Sequence, residues 1–332
     1  MEKIAVIGDG GWGTALSIGV FKKGYKVSLW GVFEDYIRTL DKGRDNTKFL
    51  KGIKIPREIE ITSVLTKALE GAGAVILAVP SKYLRGVLRQ FNGSYARGTL
   101  YISAVKGIEN DTLMRMSEVV EDVLGDAAKV ATVSGPSIAV EVAREMPTTL
   151  VASSKEPGAA KSVQDILTGT RLRVYTSDDI VGVELGGSLK NIIAIAAGIS
   201  DSLGFGANTK AAILTRGLAE ITRLGVAMGA KPVTFAGVSG MGDLVTTCIS
   251  SHSRNRWFGE MLGKGKKVAD IVKETEMVVE GVTTTKSAYL LSKKFGVEMP
   301  ITNEIYNVIY NDKSPKDVVK DLMLRSPKAE IN

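Results

Sequence analysis

Glycines at Gly8, Gly10 and Gly13 stand between a short apolar run, residues 4–7, and a helix-like stretch over 14–20. That spacing between a strand and a helix suits a dinucleotide pyrophosphate. The first glycine permits a tight turn, the second lets backbone approach the phosphates, and the third packs helix on strand, while the helix N-terminus offers N–H groups and positive dipole. Five later segments carry side chains fit for acid–base or anion chemistry: 104–109 with Lys106, 134–141, 187–191 with Lys190, 240–248 with Asp243, and 252–255. Lys190 sits beside Gly186, Gly187 and Asn191 in an otherwise apolar helical pattern, an unusual setting for a residue type that is mostly exposed. Asp243 before Leu244 and Val245 also fits a helix N-cap. Arg254 offers a guanidinium fork for two phosphate oxygens, with Ser253 and Asn255 as neutral donors. His252 is a rival general base, but a lone histidine in a polar loop is expected to be inert.

Cofactor choice is read after the second strand, residues 26–30. An acid roughly 20 positions beyond the glycine loop favours NAD, whereas an arginine there suits the 2′-phosphate of NADP. The segment is Gly31, Val32, Phe33, Glu34, Asp35, with no arginine before Arg38, so NAD is favoured. Phe33 either stacks on adenine or packs, and Glu34 and Asp35 either face the ribose or open a helix. Asp9, inside the loop, would repel a pyrophosphate unless its side chain points away.

The elements that must position these residues alternate. Strands are expected at 26–30, 59–61, 74–79, 100–103, 130–133, 150–152 and 173–175, and helices at 112–124 and 159–167. From Val181 onward helical patterns dominate, over 180–197, 209–228, 256–262, 283–295, 301–310 and 315–323. The fold class expected is α/β, an N-terminal Rossmann-type doubly wound sheet (residues 1–180) with an all-α C-terminal domain (181–332). With 332 residues and 44% hydrophobic content the chain can bury two cores, and no apolar run approaches the roughly 18–20 residues of a membrane span. The immediate N-terminal strand leaves no room for a signal peptide, so a cytoplasmic location is expected. One cysteine, Cys248, and one histidine exclude an internal disulfide and a Cys/His zinc site. The net charge of +7 lacks the basic–aromatic clusters of a nucleic-acid binder and points to small anionic ligands.

Taken together and in order, the glycine loop and the five segments resemble the NAD(P)-dependent sn-glycerol-3-phosphate dehydrogenases, from the loop to residues 322–325. The resemblance implies reversible hydride transfer between NAD(P)H and dihydroxyacetone phosphate, giving sn-glycerol 3-phosphate for glycerophospholipid synthesis. It implies a homodimer with a small phosphorylated substrate, and neither nucleic acid nor membrane insertion. Lys190 matches the family's catalytic lysine, Asp243 the carboxylate beside it, and Lys106 the lysine touching substrate and cofactor. The cofactor residues implied are Gly8, Gly10, Gly11, Trp12, Gly13, Val32, Phe33, Lys106, Ala139, Arg254, Val278 and Glu280. Those implied for substrate are Lys106, Gly135, Ser137, Lys190, Asn191, Asp243, Thr247, Ser253, Arg254 and Asn255, with no metal. NAD is the expected cofactor, NADP a possible one. Burial would lower the Lys190 pKa while Asp243 opposes the fall, and the sequence does not rank the two. Asp9 and Gly11 replace the more usual Ala and Ser, and residues 32–35 replace the arginine many bacterial members carry. Two alternatives stand beside this reading: a lysine-dependent dehydrogenase of the hydroxyisobutyrate or ketopantoate type, and a non-catalytic NAD-binding protein.

Overall fold

Apolar runs too short for a helix and bounded by turn residues fold into strands buried on both faces. In the run at 74–77, Ala74, Val75, Ile76 and Leu77 are each 1% exposed or less. The structure is a computed structural model describing residues 3–330 except 92, 94–97, 126–127, 170 and 328. Among the described residues eight strands form one sheet: β1 (Lys3–Ile7), β2 (Lys26–Trp30), β3 (Glu60–Thr62), β4 (Ala74–Leu77), β5 (Leu100–Ser103), β6 (Lys129–Ser134), β7 (Thr148–Ser153) and β8 (Leu172–Ser177). Their order is β3-β2-β1-β4-β5-β6-β7-β8. The helices between them are α1 (Gly11–Lys22), α2 (Glu34–Gly43), α3 (Leu65–Leu69), α4 (Leu84–Arg89), α5 (Met116–Leu124), α6 (Ala139–Ala143) and α7 (Ala159–Leu167).

The chain after β8 is helical: α8 (Ile180–Ser202), α9 (Ala207–Ala227), α10 (Pro232–Phe235), α11 (Asp243–Ile249), α12 (Arg254–Gly263), α13 (Val268–Lys273), α14 (Glu280–Lys294), α15 (Pro300–Tyr310) and α16 (Pro315–Met323). Asp179 starts α8, its carboxylate accepting from Gly182 N at 2.9 Å, Lys231 N at 2.9 Å and Thr234 Oγ1 at 2.6 Å. α8 is the axis of this half, packed by α9, α11, α12 and α14, with Ile192, Ile193 and Ile195 fully buried.

Three expectations need correction. β1 to β6 are parallel as expected, but β7 pairs with β6 antiparallel, and β8 follows β7 in the reversed direction. Between β6 and β7 lies only the five-residue α6, too little to carry the chain across the sheet face as a parallel crossover requires. The helix expected from residue 112 begins at Met116, because Leu113 adopts a left-handed turn at φ 62° and Arg115 N donates to Glu118 Oε2 at 2.9 Å as the first turn opens. Finally, α8 does have the length and hydropathy to cross a membrane. Glu184 and Lys190 break its apolar run in sequence, and 94% of its most apolar window lies inside the protein, as in a core helix.

The two halves meet through a buried ion pair. The guanidinium of Arg115, at the start of α5, pairs with the carboxylate of Glu184 on α8, which also accepts from Ser117 N at 2.8 Å and Ser117 Oγ at 2.7 Å. Arg115 is 4% exposed and Glu184 5%.

Candidate active site

The glycine loop takes its shape from contacts that leave no space for side chains. Gly8 has φ +125°, and a Cβ there would lie 2.7 Å from the carbonyl of Ala78. Its N–H donates to Trp30 O at 2.9 Å, tying the loop to the end of β2. Gly10 caps α1 without a side chain, so the first-turn N–H groups are left for an outside acceptor. A Cβ on Gly11 would stand 2.6 Å from Phe49 O, which accounts for glycine here, and 3.6 Å from Ala139 Cβ, which brings Ala139 to the loop. Trp12 is half-buried against the sheet core. Val32 and Phe33, 54% and 72% exposed, follow β2. Glu34 and Asp35 open α2 and pair with Arg38 at 3.7 and 2.8 Å, which places both at the helix start. Sequence reasoning missed Asn46. Its Nδ2 donates to Asp9 O at 2.8 Å and Thr14 Oγ1 at 2.7 Å, and its Oδ1 accepts from Phe49 N at 3.1 Å.

Asp243 joins the halves at the chemical centre. It is the first residue of α11, after a π-helical turn over Val238–Gly242, and is fully buried. Gly242, not Asp243, occupies the cap position, so the carboxylate is free for other work. Its Oδ1 pairs with Lys190 Nζ and its Oδ2 accepts from Lys106 Nζ at 2.7 Å. Lys106, in the loop after β5, also donates to Gly135 O at 2.7 Å and Ser137 Oγ at 3.0 Å, filling its three donor positions. Lys190 Nζ donates to Thr247 Oγ1 at 2.6 Å, and that hydroxyl donates onward to Asp243 O at 2.7 Å. Two of the three Lys190 hydrogens are thus engaged among the described residues.

Burial pulls the Lys190 ammonium down to about 8, with Lys106 adding to the fall and Asp243 opposing it. Burial therefore outweighs the carboxylate. The neighbouring Cys248 thiol is pushed up to about 12 by burial and stays a thiol at neutral pH. α8 approaches the Asp243 turn closely because Gly186 has no side chain: a Cβ there would lie 2.7 Å from Ser239 O. Gly186→Ala should therefore shift that turn and cost about 100-fold in kcat. Steady-state kinetics alongside a thermal melt checks this, a folded variant with wild-type kcat being the contrary result.

A second group lines the rim. Asn255 Nδ2 donates to Asn191 Oδ1 at 2.9 Å, and Asn255 Oδ1 accepts from Gly281 N at 2.9 Å, so α12 and α14 hold both amides next to Lys190. Arg254, exposed at the start of α12, donates to Val278 O at 3.3 Å. Ser253 caps α12, its hydroxyl accepting from Arg256 N at 3.2 Å. Glu280 reaches across to the sheet domain, accepting from Ser81 N at 2.9 Å and Ser81 Oγ at 2.5 Å. Ser81 also went unnoticed in the sequence, where only the preceding Pro80 marked the end of β4. His252 stands exposed in the turn before α12, its backbone N–H on Ser250 Oγ at 3.1 Å.

A glycine loop opening α1 beside a parallel sheet, with a buried lysine–carboxylate pair set at the helical half, defines a two-domain nicotinamide-dependent oxidoreductase. Two family models cover the chain: NAD-dependent glycerol-3-phosphate dehydrogenase N-terminus over residues 3–160 and NAD-dependent glycerol-3-phosphate dehydrogenase C-terminus over 179–320. The glycerol-3-phosphate dehydrogenase [NAD(P)+] of Citrifermentans bemidjiense is 49% identical over 331 residues, 99% of each chain. The crystal structure of glycerol-3-phosphate dehydrogenase from Coxiella burnetii superposes with TM-score 0.94 at 36% identity, covering 98% of this chain and 99% of that one. A ketopantoate reductase from Ralstonia eutropha matches at TM-score 0.60 and 16% identity over 96% of this chain and 99% of its own, a likeness of fold alone. The chain belongs to the NAD-dependent glycerol-3-phosphate dehydrogenase family.

Proposed function

We infer that this chain reduces dihydroxyacetone phosphate to sn-glycerol 3-phosphate with NAD(P)H and catalyses the reverse oxidation. The observation that carries the chemistry is Lys190, buried, gripped by Asp243 and Thr247, with one N–H left over among the described residues and a pKa of about 8. When bound, the nicotinamide supplies or accepts the hydride. Lys190 gives its proton to the ketone oxygen during reduction and, once neutral, withdraws the hydroxyl proton during oxidation. Asp243 holds both lysine ammoniums in place and stabilises the charged form of Lys190. Lys106 exchanges one of its protein acceptors for a substrate oxygen. Asn191 and Asn255 orient the substrate's polar end, and Arg254 grips its phosphate from the rim.

The residues at the loop fit a dinucleotide. Uncapped N–H groups at the start of α1, with Ala139 against Gly11, form a cradle for the pyrophosphate. Val32 and Phe33 offer an apolar rest for the adenine. In the same reading residues 1–180 bind the dinucleotide and 181–332 the substrate. The product feeds glycerophospholipid synthesis in the cytoplasm, and the chain works as a homodimer without inserting in a membrane. Following nicotinamide absorbance with dihydroxyacetone phosphate, in parallel with NADH and NADPH, tests the reaction. Substrate-dependent oxidation of at least one is expected, and none with either would contradict it.

A further inference from the structure

At the end of β2, the position from which a ribose-binding carboxylate ordinarily projects is a glycine. In dinucleotide folds an acid roughly 20 residues past the loop accepts from the adenosine 2′-hydroxyl. Here β2 closes at Trp30, Gly31 follows, and Val32 and Phe33 carry no charge. Glu34 and Asp35 are drawn into the first turn of α2 with Arg38. The space beside Gly31 is nevertheless filled by an acid. A Cβ built on Gly31 would lie 2.5 Å from Cγ and 2.7 Å from Oδ2 of Asp9. The Asp9 carboxylate has therefore come from the glycine loop to the place where a side chain at the end of β2 would start. That direction lays it against β2, and so answers the difficulty of an acid beside a pyrophosphate.

The carboxylate is also incomplete. Its Oδ2 is buried with no hydrogen-bond partner among the described residues, a costly state unless a ligand supplies the donor. Burial raises the Asp9 pKa, partly offset by a backbone hydrogen bond and by Lys48 acting through space. Lys48 is itself committed to Glu276 at 2.7 Å.

We propose that Asp9 reads the adenosine ribose of the dinucleotide: Oδ2 accepts the 2′-hydroxyl, and the carboxylate charge rejects a 2′-phosphate, making the chain selective for NAD(H). The proposal rests on the dinucleotide reading of the loop and adds its source of selectivity. Gly31 is then required, since a side chain there would displace Asp9 and meet Ile37 Cδ1 at 2.5 Å.

Equilibrium titration of NADH and NADPH into the wild type, Asp9→Ala and Asp9→Asn, without substrate, tests it. The wild type should bind NADH more tightly. In Asp9→Ala the NADH Kd should rise about tenfold and the NADPH Kd should fall, changing their ratio by about 100-fold. Asp9→Asn keeps the shape of the side chain and removes the charge, so it should gain NADPH affinity while losing less for NADH. It decides the matter if the alanine variant does not fold. A wild type that prefers NADPH, or an NADH-to-NADPH ratio unchanged in folded Asp9→Asn, overturns the assignment. A wild type that binds neither dinucleotide overturns the loop reading itself, which separates the two failures.

Discussion

Lys190→Met should lower kcat for dihydroxyacetone phosphate reduction by about 10²- to 10⁴-fold, the usual contribution of a positioned general acid. Methionine fills much the same apolar stem volume in α8 but has no proton to give. Its thioether cannot replace the bonds to Asp243 and Thr247, so among the described residues Asp243 keeps only Lys106 as an ionic partner. The loss should appear in kcat, because the cradle at the start of α1 and the rim at Arg254 are untouched. His252→Ala should leave kcat within a factor of about 2, since that side chain stands exposed in a turn. Steady-state kinetics of the two variants decides between the candidate bases: a larger kcat loss in His252→Ala would transfer the role to the imidazole.

Glu184→Ala should cost about 3–5 kcal/mol of unfolding free energy, the range for breaking one partner of a buried ion pair. The Glu184 carboxylate receives the Arg115 guanidinium together with Ser117 N and Oγ, where α8 meets α5. Burial pushes its pKa up, against the pull of Arg115, so desolvation is a large part of this pair's energetics. Removing the carboxylate leaves a 4% exposed Arg115 with Glu118 at 2.6 Å as its remaining ionic partner among the described residues. Denaturant titration measures the loss. The double variant Glu184→Leu with Arg115→Met should recover most of it, because a buried pair is often replaced by apolar packing without net cost. A loss below about 1 kcal/mol in Glu184→Ala, the range of exposed ion pairs, would contradict the burial argument.

What was legible in the sequence was what is local. The strand–glycine–helix succession at residues 4–20 specifies its own geometry, because turn, close approach and helix start are encoded within one short stretch. α8 was legible from its helical period, and Lys190 from the glycines around it. The reversal of β7 was not, because strand direction depends on where a connection travels, and the 13 residues between Ser134 and Thr148 give no periodic signal for the path. Short helices such as α3, α4 and α10 have too few turns to show an apolar stripe. The contacts of Asn46 with Asp9 and Thr14, of Ser81 with Glu280 and of Arg115 with Glu184 form only through tertiary approach. Asp9 is the instructive intermediate case. Its charge raised the question in the sequence, and only the position of Gly31 in the fold shows where the carboxylate goes.

The most direct test of the central claim is the pH dependence of kcat/KM for reduction with saturating NADH. With the Lys190 pKa at about 8, the ammonium form needed for reduction is present below that pH and lost above it, so the rate should fall as pH rises through that value. Glycerol 3-phosphate oxidation, which needs the neutral amine, should rise over the same interval. In Lys190→Met the residual reduction rate should lose this limb. The same limb persisting in that variant would show that another group gives the proton.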